Sequence, residues 1–169
     1  MSGTDLYETD ILAWSEQQAG ALRELSGRRD LPNALDLAHV LEEIEDLGLS
    51  ELNAVKSFIR LILRHAVKCV LDSEAQTVRH WRVEINNWQG DLEDRISPSM
   101  HRRIDMDALW DRAVRQAELD LLEQARDPAF ATRLRALRGT TCPIPLAEVL
   151  RESTDPAALV QRLALGLTR

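Results

Sequence analysis

The carboxylates Glu42, Glu43, Glu45 and Asp46 are the residues of this 169-residue chain whose types and spacing best suit chemistry. We call these four residues the acidic face. Apolar residues recur around it at helical spacing, and no Lys or Arg occurs over residues 31–55 to neutralise it. Neighbouring like charges on a helix cost about a few tenths of a kcal/mol per pair, so local stability does not explain the cluster. Such carboxylates could bind a metal ion together with a histidine, or they could attract a basic partner.

The metal hypothesis combines Glu42 and Glu45, which lie three residues apart, with His65 on an apolar helix face. If the chain turns at Gly48 into an antiparallel helix, Glu42 lies opposite about Val55. His65 is then about 15 Å further along the second helix. The sequence contains no Glu-x-x-His spacing of the kind found in di-iron bundles. A metal site would therefore need another helix arrangement, or ligands from a second subunit.

The docking hypothesis assigns the whole acidic face to the binding of a basic protein partner. The alternative is compensation inside the protein by cations from another helix. Arg23, Lys56 and Arg60 are the candidates for that compensation. The sequence alone leaves both interpretations open.

His65 also has an interpretation as a core residue. It shares an apolar helix face with Ile62 and Cys69, and an antiparallel neighbouring helix would place it opposite Trp81 or Arg82. A buried histidine with one hydrogen bond, packed on an aromatic ring, suits this position better than a metal ligand does. The other three histidines show no ligand spacing among themselves.

The remaining candidates for chemistry are a cysteine and four tryptophans. Cys142 lies between Thr141 and Pro143, with no basic neighbour and no identifiable histidine to activate it, so a structural role is favoured. Each tryptophan falls on the apolar stripe of its predicted helix, which is typical of core packing rather than of a cofactor pocket. These residues are Trp14, Trp81, Trp88 and Trp110. No cofactor is predicted.

The composition is that of one globular domain over residues 1–169, with 44% hydrophobic and 29% charged residues. Two cysteines without a pattern indicate neither a disulfide framework nor a zinc site. No signal segment or membrane-length apolar run is present. We therefore expect a cytoplasmic protein that does not interact with membranes.

The formal net charge of −7 is unevenly distributed. Residues 1–125 carry 14 basic and 24 acidic side chains, whereas residues 126–169 carry seven Arg against four acids. The Arg-bearing tail could bind an acidic partner, although solvated Arg on short helices is the simpler interpretation. Nucleic-acid binding by the whole chain is disfavoured because the dominant negative field repels phosphates.

The apolar spacing predicts an all-α protein, an antiparallel helical bundle of about five main helices with short C-terminal helices. No segment alternates with strand periodicity. The predicted helices cover 5–26, a short segment after Pro32 that ends at Gly48, 50–72, 73–96, a fifth from Ser99 or Asp105 to 126, 130–138, 146–152 and 156–167. The third of these is apolar nearly all round, so we expect it at the centre of the core.

The order of motifs along the chain resembles that of a known family. The motifs are Tyr7, Asp10, Trp14, Gln18 and Leu22-Arg23; the run from Leu41 to Glu51; Leu63-Arg64-His65 with Lys68; Trp81 and Ile85; Ser97-Pro98-Ser99; and Cys142-Pro143. Over residues 7–150 this pattern resembles the bacterial "domain of unknown function 29" family. The resemblance implies an all-helical cytoplasmic fold and no established activity. Residues 154–169 read as a helical extension.

The sequence therefore favours a noncatalytic protein-interaction or regulatory module that uses the acidic face, with a homodimer left open. The runner-up is a metal-dependent helical-bundle enzyme with ligands from Glu42, Glu45 and His65. No catalytic or cofactor-binding residue is assigned, and the partner's identity stays open.

Overall fold

A computed structural model describes residues 3–28, 30–32, 34–72, 75–122, 129–150 and 155–166. Within these ranges all regular structure is helical and no strand occurs, which confirms the predicted all-α class. The helices are α1 (Gly3–Thr9), α2 (Ile11–Ser26), α3 (Leu37–Leu71), α4 (Ala75–Arg95), a 3-10 turn (Met100–Arg103), α5 (Met106–Leu121), α6 (Phe130–Leu137), α7 (Leu146–Val149) and α8 (Pro156–Gly166). None of the helices in the described part combines the length and apolar character needed to cross a bilayer.

The chain forms two compact units. The first unit comprises Met1–Val55 and Arg95–Ile104, and the second comprises Lys56–Asp94 and Asp105–Arg169. Helix α3 therefore begins in the first unit and ends in the second.

The predicted first helix over residues 5–26 is wrong in one respect, because the chain breaks into α1 and α2 at Asp10. Asp10 has an extended φ of −155°, and its Oδ1 accepts a hydrogen bond from the Ala13 N–H at 3.1 Å. This is N-cap geometry, which starts a new helix instead of continuing the old one. The continuous apolar stripe through this segment hides the break.

The predicted helical hairpin at Gly48 is also wrong. Residues 37–71 form one continuous 35-residue helix, so neither the short helix after Pro32 nor the separate helix from Ser50 exists. Gly48 is buried inside α3 against α2. A Cβ at residue 48 would overlap the Ser15 hydroxyl and lie 3.2 Å from Leu12 Cδ1. The glycine therefore allows two helices to approach closely, and it does not end one.

The later helices follow the predictions more closely. Ser97-Pro98-Ser99 separates α4 from the 3-10 turn, and Asp105 caps α5 by accepting the Ala108 N–H at 3.0 Å. Gly139 has a φ of 69°, a left-handed conformation that suits glycine, two residues after α6 ends. The predicted cap at Ser73 and the predicted helix ends near residues 126 and 167 lie outside the described residues. The predicted end near residue 152 is wrong, because α7 ends at Val149 and Leu150 is extended.

The C-terminal half of α3 forms the centre of the second unit's core, as its apolar composition predicts. Its fully buried side chains include Ile59, Ile62, Leu63, Ala66, Val67 and Leu71. Trp81 on α4 and Trp110 on α5 are buried in the same unit, which confirms a core role for these two tryptophans. Trp14 and Trp88 are half-buried.

Candidate functional site

The acidic face lies on the N-terminal turns of α3. Val40, Glu43 and Leu47 follow each other at spacings of three and four residues, so they share one side of the helix. Val40 and Leu47 are each 38% exposed, so two apolar side chains of one row reach solvent. Glu42 and Asp46, four residues apart, form the adjoining exposed row. The exposed side of this part of α3 therefore carries apolar side chains next to carboxylates.

Only part of the acidic charge is compensated inside the first unit. Arg23 on α2 donates a hydrogen bond to the Glu45 carboxylate, so one of the three predicted cations does pair with the face. Glu42, Glu43 and Asp46 are exposed, and none of them forms an ion pair with another described residue. Three negative charges thus remain open to solvent beside Val40 and Leu47.

A groove of about 220 Å³ lies next to the Arg23–Glu45 ion pair. Small-molecule pockets usually measure about 300–1,000 Å³, so this groove is of a size for a side chain of a partner. It is lined by Leu12, Ser15, Glu16, Ala19, Arg23, Glu45 and Leu49. Leu49 is 47% exposed, which adds a third accessible apolar group to this part of α3.

A second polar centre of the first unit is built on Asp10. The Asp10 carboxylate accepts hydrogen bonds from Ser97 Oγ at 2.8 Å, from the Ser99 N–H at 2.9 Å and from Ser99 Oγ at 2.6 Å. Burial alone would raise the pKa of Asp10, but the hydrogen bonds from Ser99, Ala13 and Ser97 lower it below its ordinary value. With every oxygen engaged, this carboxylate is structural: it fastens the start of α2 to the Ser97-Pro98-Ser99 junction.

Because the predicted hairpin is not formed, the metal hypothesis has no geometric basis. Glu42, Glu45 and His65 lie on one continuous helix, and the 20 residues between Glu45 and His65 correspond to about 30 Å of helical rise. The described ranges also hold no group of three His, Cys, Asp or Glu side chains arranged to bind a metal. The structure does not bring these three candidate ligands together.

His65 occupies a core position in the second unit, as its helix face predicts. The side chain is 7% exposed, and its ring centroid lies 4.7 Å from that of Trp88 and 6.5 Å from that of Trp81, both edge-to-face. Its Nδ1–H donates to the Leu61 carbonyl oxygen at 3.1 Å. The Nε2 atom is therefore the one that titrates.

Two opposite charges compete for His65 Nε2. Glu84 Oε2 on α4 lies 3.1 Å away, and Lys68 Nζ, one turn along α3, lies 3.5 Å away. Burial and the nearby Lys68 charge lower the pKa of His65 and outweigh the Leu61 hydrogen bond and Glu84, which both raise it. The neutral imidazole is thus the favoured form.

Lys68 connects this histidine to a third helix. Its ammonium group lies 4.5 Å from the Trp81 ring centroid and 3.9 Å from Asp120 Oδ2 on α5. Burial lowers the pKa of Lys68, and the Asp120 carboxylate opposes that effect.

Arg64 Nε and Nη2 donate to the two Asp120 oxygens at 2.6 Å each, a bidentate pair. Burial raises the pKa of Asp120, but Arg64, the Gln116 hydrogen bond and the Lys68 charge together lower it below its ordinary value.

We call Arg64, His65, Lys68, Glu84 and Asp120 the charged network. Asp120 on α5 pairs with Arg64 and Lys68 of α3, and Glu84 on α4 lies beside His65 Nε2. The pairing of Asp120 with two cations suits a structural role, because an unpaired buried charge would be costly. Sequence reasoning placed His65 correctly but missed Glu84 and Asp120. The sequence feature that indicates acidic partners here is the presence of two cations, Arg64 and Lys68, on a helix that is otherwise apolar nearly all round.

Cys142 has a structural environment. Its N–H donates to Asp107 Oδ1 at 2.7 Å, and its Sγ donates to the Ile144 carbonyl oxygen at 3.2 Å. Burial raises the pKa of this thiol to about 11, and burial does the same to the thiol of Cys69. Neither thiol is activated as a nucleophile.

The helical architecture described above defines an all-α protein. The chain belongs to the DUF29 family, described as a domain of unknown function, whose family model matches residues 6–153. This agrees with the resemblance recognised over residues 7–150. Helix α8 begins at Pro156, beyond the matched region.

The chain is also similar to a solved crystal structure. This is an α-helical protein of unknown function from Rhodospirillum rubrum, 39% identical, with a TM-score of 0.79. The similarity covers 93% of this chain and 96% of the other. None of the curated proteins compared with the chain matches it.

Proposed function

We propose that this chain is a cytoplasmic, noncatalytic interaction module whose acidic face binds a basic amphipathic helix of a partner protein. One observation carries the proposal. Glu42, Glu43 and Asp46 are exposed without an ion pair to any described residue, and they lie beside the exposed apolar side chains of Val40 and Leu47. Among the described residues, the internal-compensation alternative accounts for Glu45 alone, through Arg23.

The two kinds of group would have different roles in binding. Apolar anchors at the centre of an interface supply most of the affinity, and charges around them set orientation, partner choice and association rate. Val40 and Leu47 form such an anchor row, and Glu43 stands between them along the helix. A partner helix with Lys or Arg flanking an apolar stripe complements both features.

The groove beside Glu45 supports the same kind of partner. Its volume of about 220 Å³ accommodates one side chain, and its wall carries apolar Leu12 and Leu49 beside the Arg23–Glu45 ion pair. The Glu16 carboxylate of the same wall pairs with Arg103. An apolar side chain of the partner helix fits such a lining.

The test is a charge reversal that leaves the Arg23–Glu45 ion pair intact. The variant Glu42→Lys/Glu43→Lys/Asp46→Lys serves as bait in a native-lysate pull-down read by mass spectrometry, beside the wild type. Glu24→Lys/Asp91→Lys/Asp94→Lys is a control with the same change in charge at exposed residues that form no ion pair in the described part of the chain. Circular dichroism and thermal unfolding establish that both variants are folded.

A protein retained by the wild type and the control but lost with the first variant would support the proposal. Its purified form should then bind with a dissociation constant that weakens as salt rises. Val40→Ser/Leu47→Ser should weaken the same complex by about tenfold or more, because the anchor row is removed. Retention by the charge-reversed variant would contradict the proposal. If the partner is a second copy of this chain, light scattering will show a dimer that the first variant abolishes.

A further inference from the structure

A second groove, of about 520 Å³, lies in the second unit between α4 and the first residues of α8. Its polar lining on α4 consists of Arg79, Arg82 and Asn86, at spacings of three and four residues on one side of the helix. Val78 and Val83 add apolar surface to the same wall. This volume falls within the usual range for small-ligand sites, about 300–1,000 Å³.

The two arginines of this groove have no acidic partner among the residues that the structure describes. Most other arginines of the described ranges do have one: Arg64 pairs with Asp120 and Arg138 with Glu118. Arg79 and Arg82 form no ion pair with any described residue, although the chain carries a net charge of −7. Arg79 and Arg82 carry two positive charges against the single carboxylate of Asp155, so the described lining is net positive and suits an anion.

The opposite wall of the groove contributes one carboxylate, and that carboxylate is engaged elsewhere. Asp155 Oδ1 accepts hydrogen bonds from the backbone N–H groups of Ala157 at 2.5 Å and Ala158 at 3.1 Å. It caps α8 rather than pairing with Arg79 or Arg82. Pro156 and Ala157 complete the apolar part of the lining.

The donor set favours phosphate over carboxylate. A guanidinium group donates two parallel hydrogen bonds, so one arginine already satisfies a carboxylate. Two arginines three residues apart match the three terminal oxygens and the double negative charge of a phosphate monoester, and the Asn86 amide offers a further donor. The valines and Pro156 suit an apolar body attached to the phosphate.

We propose that the groove between α4 and α8 binds a small phosphate monoester with an apolar body, its phosphate held by Arg79 and Arg82. This site is separate from the acidic face and uses none of its residues. The two proposals therefore stand or fall independently.

The probe is phenyl phosphate, titrated into the full-length protein at low ionic strength by isothermal calorimetry. Benzoate and benzyl alcohol serve as comparison ligands that carry a carboxylate and no charge, respectively. The test variant is Arg79→Gln/Arg82→Gln. The matched control, Arg60→Gln/Arg112→Gln, removes two exposed arginines that form no ion pair among the described residues. Because all four side chains are exposed, thermal unfolding should show each variant folded.

We expect saturable binding of one phenyl phosphate per chain, weakened about tenfold or more in the test variant and unchanged within about twofold in the control. Benzoate should bind about tenfold more weakly than phenyl phosphate, and benzyl alcohol more weakly still. Absence of saturation by about 10 mM phenyl phosphate would overturn the proposal. So would equal loss in both variants, which indicates a response to net charge alone. Equal affinity for benzoate would overturn the assignment to phosphate.

Discussion

Gly48 on α3 and Ser15 on α2 are in such close contact that no larger residue fits at position 48. A Cβ placed there would overlap Ser15 Oγ and lie 3.0 Å from Ser15 Cβ. Ser15 cannot easily move aside, because it is 1% exposed and its hydroxyl donates to the Leu12 carbonyl oxygen at 2.9 Å. The contact fixes the distance between the two helices that carry Glu45 and Arg23.

We predict that Gly48→Ala lowers the free energy of unfolding by about 1–3 kcal/mol, because the added methyl group overpacks this contact. Urea denaturation followed by circular dichroism measures the change. Gly20→Ala is the matched control, since Gly20 lies inside α2 with nothing within 4 Å of an added Cβ. That substitution should stabilise the protein by about 0.5–1 kcal/mol through helix propensity. Equal effects of the two substitutions would contradict the close approach at Gly48.

Asp10→Asn should destabilise the protein at neutral pH by about 1–3 kcal/mol, because its amide group would face the Ser99 N–H and leave a partly buried donor unsatisfied. The pKa of Asp10 is lowered in the folded state, so its stabilising effect is complete above the ordinary value of 3.8. The effect is lost as pH falls through the lower folded pKa. Urea denaturation at neutral and acidic pH should show the difference from wild type shrinking in acid.

Asp105→Asn provides the control for this prediction. Asp105 is also an N-cap, but it is exposed, and the hydrogen bond it accepts in the described structure comes from Ala108. Asparagine is as good an N-cap as aspartate, so this substitution should change stability by less than about 0.5 kcal/mol. A comparable loss in both variants would remove the special role of the Ser97-Pro98-Ser99 junction.

The pH dependence of stability between about pH 5 and 8 should depend on His65. Its pKa is lowered in the folded state, so above the ordinary value of 6.5 the neutral ring leaves stability intact. As pH falls below 6.5 the unfolded chain binds the proton more readily, and stability declines. His65→Gln should flatten this decline, and urea denaturation across this pH range measures it. A ring titration by NMR that places the His65 pKa above 6.5 would refute the prediction.

Asp120→Asn should cost about 2–3 kcal/mol, because Arg64 and Lys68 lose their shared carboxylate in a partly buried setting. Asp111→Asn disrupts an exposed pair with Arg115 at 3.9 Å and should change stability by less than about 0.5 kcal/mol. Chemical denaturation of both variants at high and low salt makes the comparison. A small effect at Asp120 would mean that the charged network contributes little to the stability of the second unit.

The sequence was sufficient for the helical class and for most helix positions, because helical periodicity is a local property that repeats over many residues. It did not predict the helix through Gly48, because glycine has two common roles in helical proteins. Glycine commonly ends a helix, and it also permits close packing between helices. The choice between these roles depends on Ser15, 33 positions earlier in the chain, which no local pattern reveals.

At the sites, too, local features could be predicted from the sequence, whereas contacts between distant residues could not. The burial of His65 followed from its helix face, whereas its contacts with Glu84 and Lys68 depend on how α4 packs on α3. Arg23 was one of three possible partners for the acidic face, and in the structure it forms an ion pair with Glu45. The groove at Arg79 and Arg82 had no counterpart in the sequence analysis, because its other wall comes from residues more than 70 positions away.

The hydrogen bonds of Asp10 with Ser97 and Ser99 have a consequence for how the chain becomes folded during synthesis. They join residues 87 and 89 positions apart, and the first unit is itself assembled from two separate stretches of chain. The ribosome must therefore deliver all of residues 56–94, which belong to the second unit, before the first unit can be completed. Closing so long a loop carries an entropic cost that short-range helix contacts avoid. The Asp10 carboxylate of the N-terminal helices must consequently remain unsatisfied by these partners until Ser99 has been synthesised.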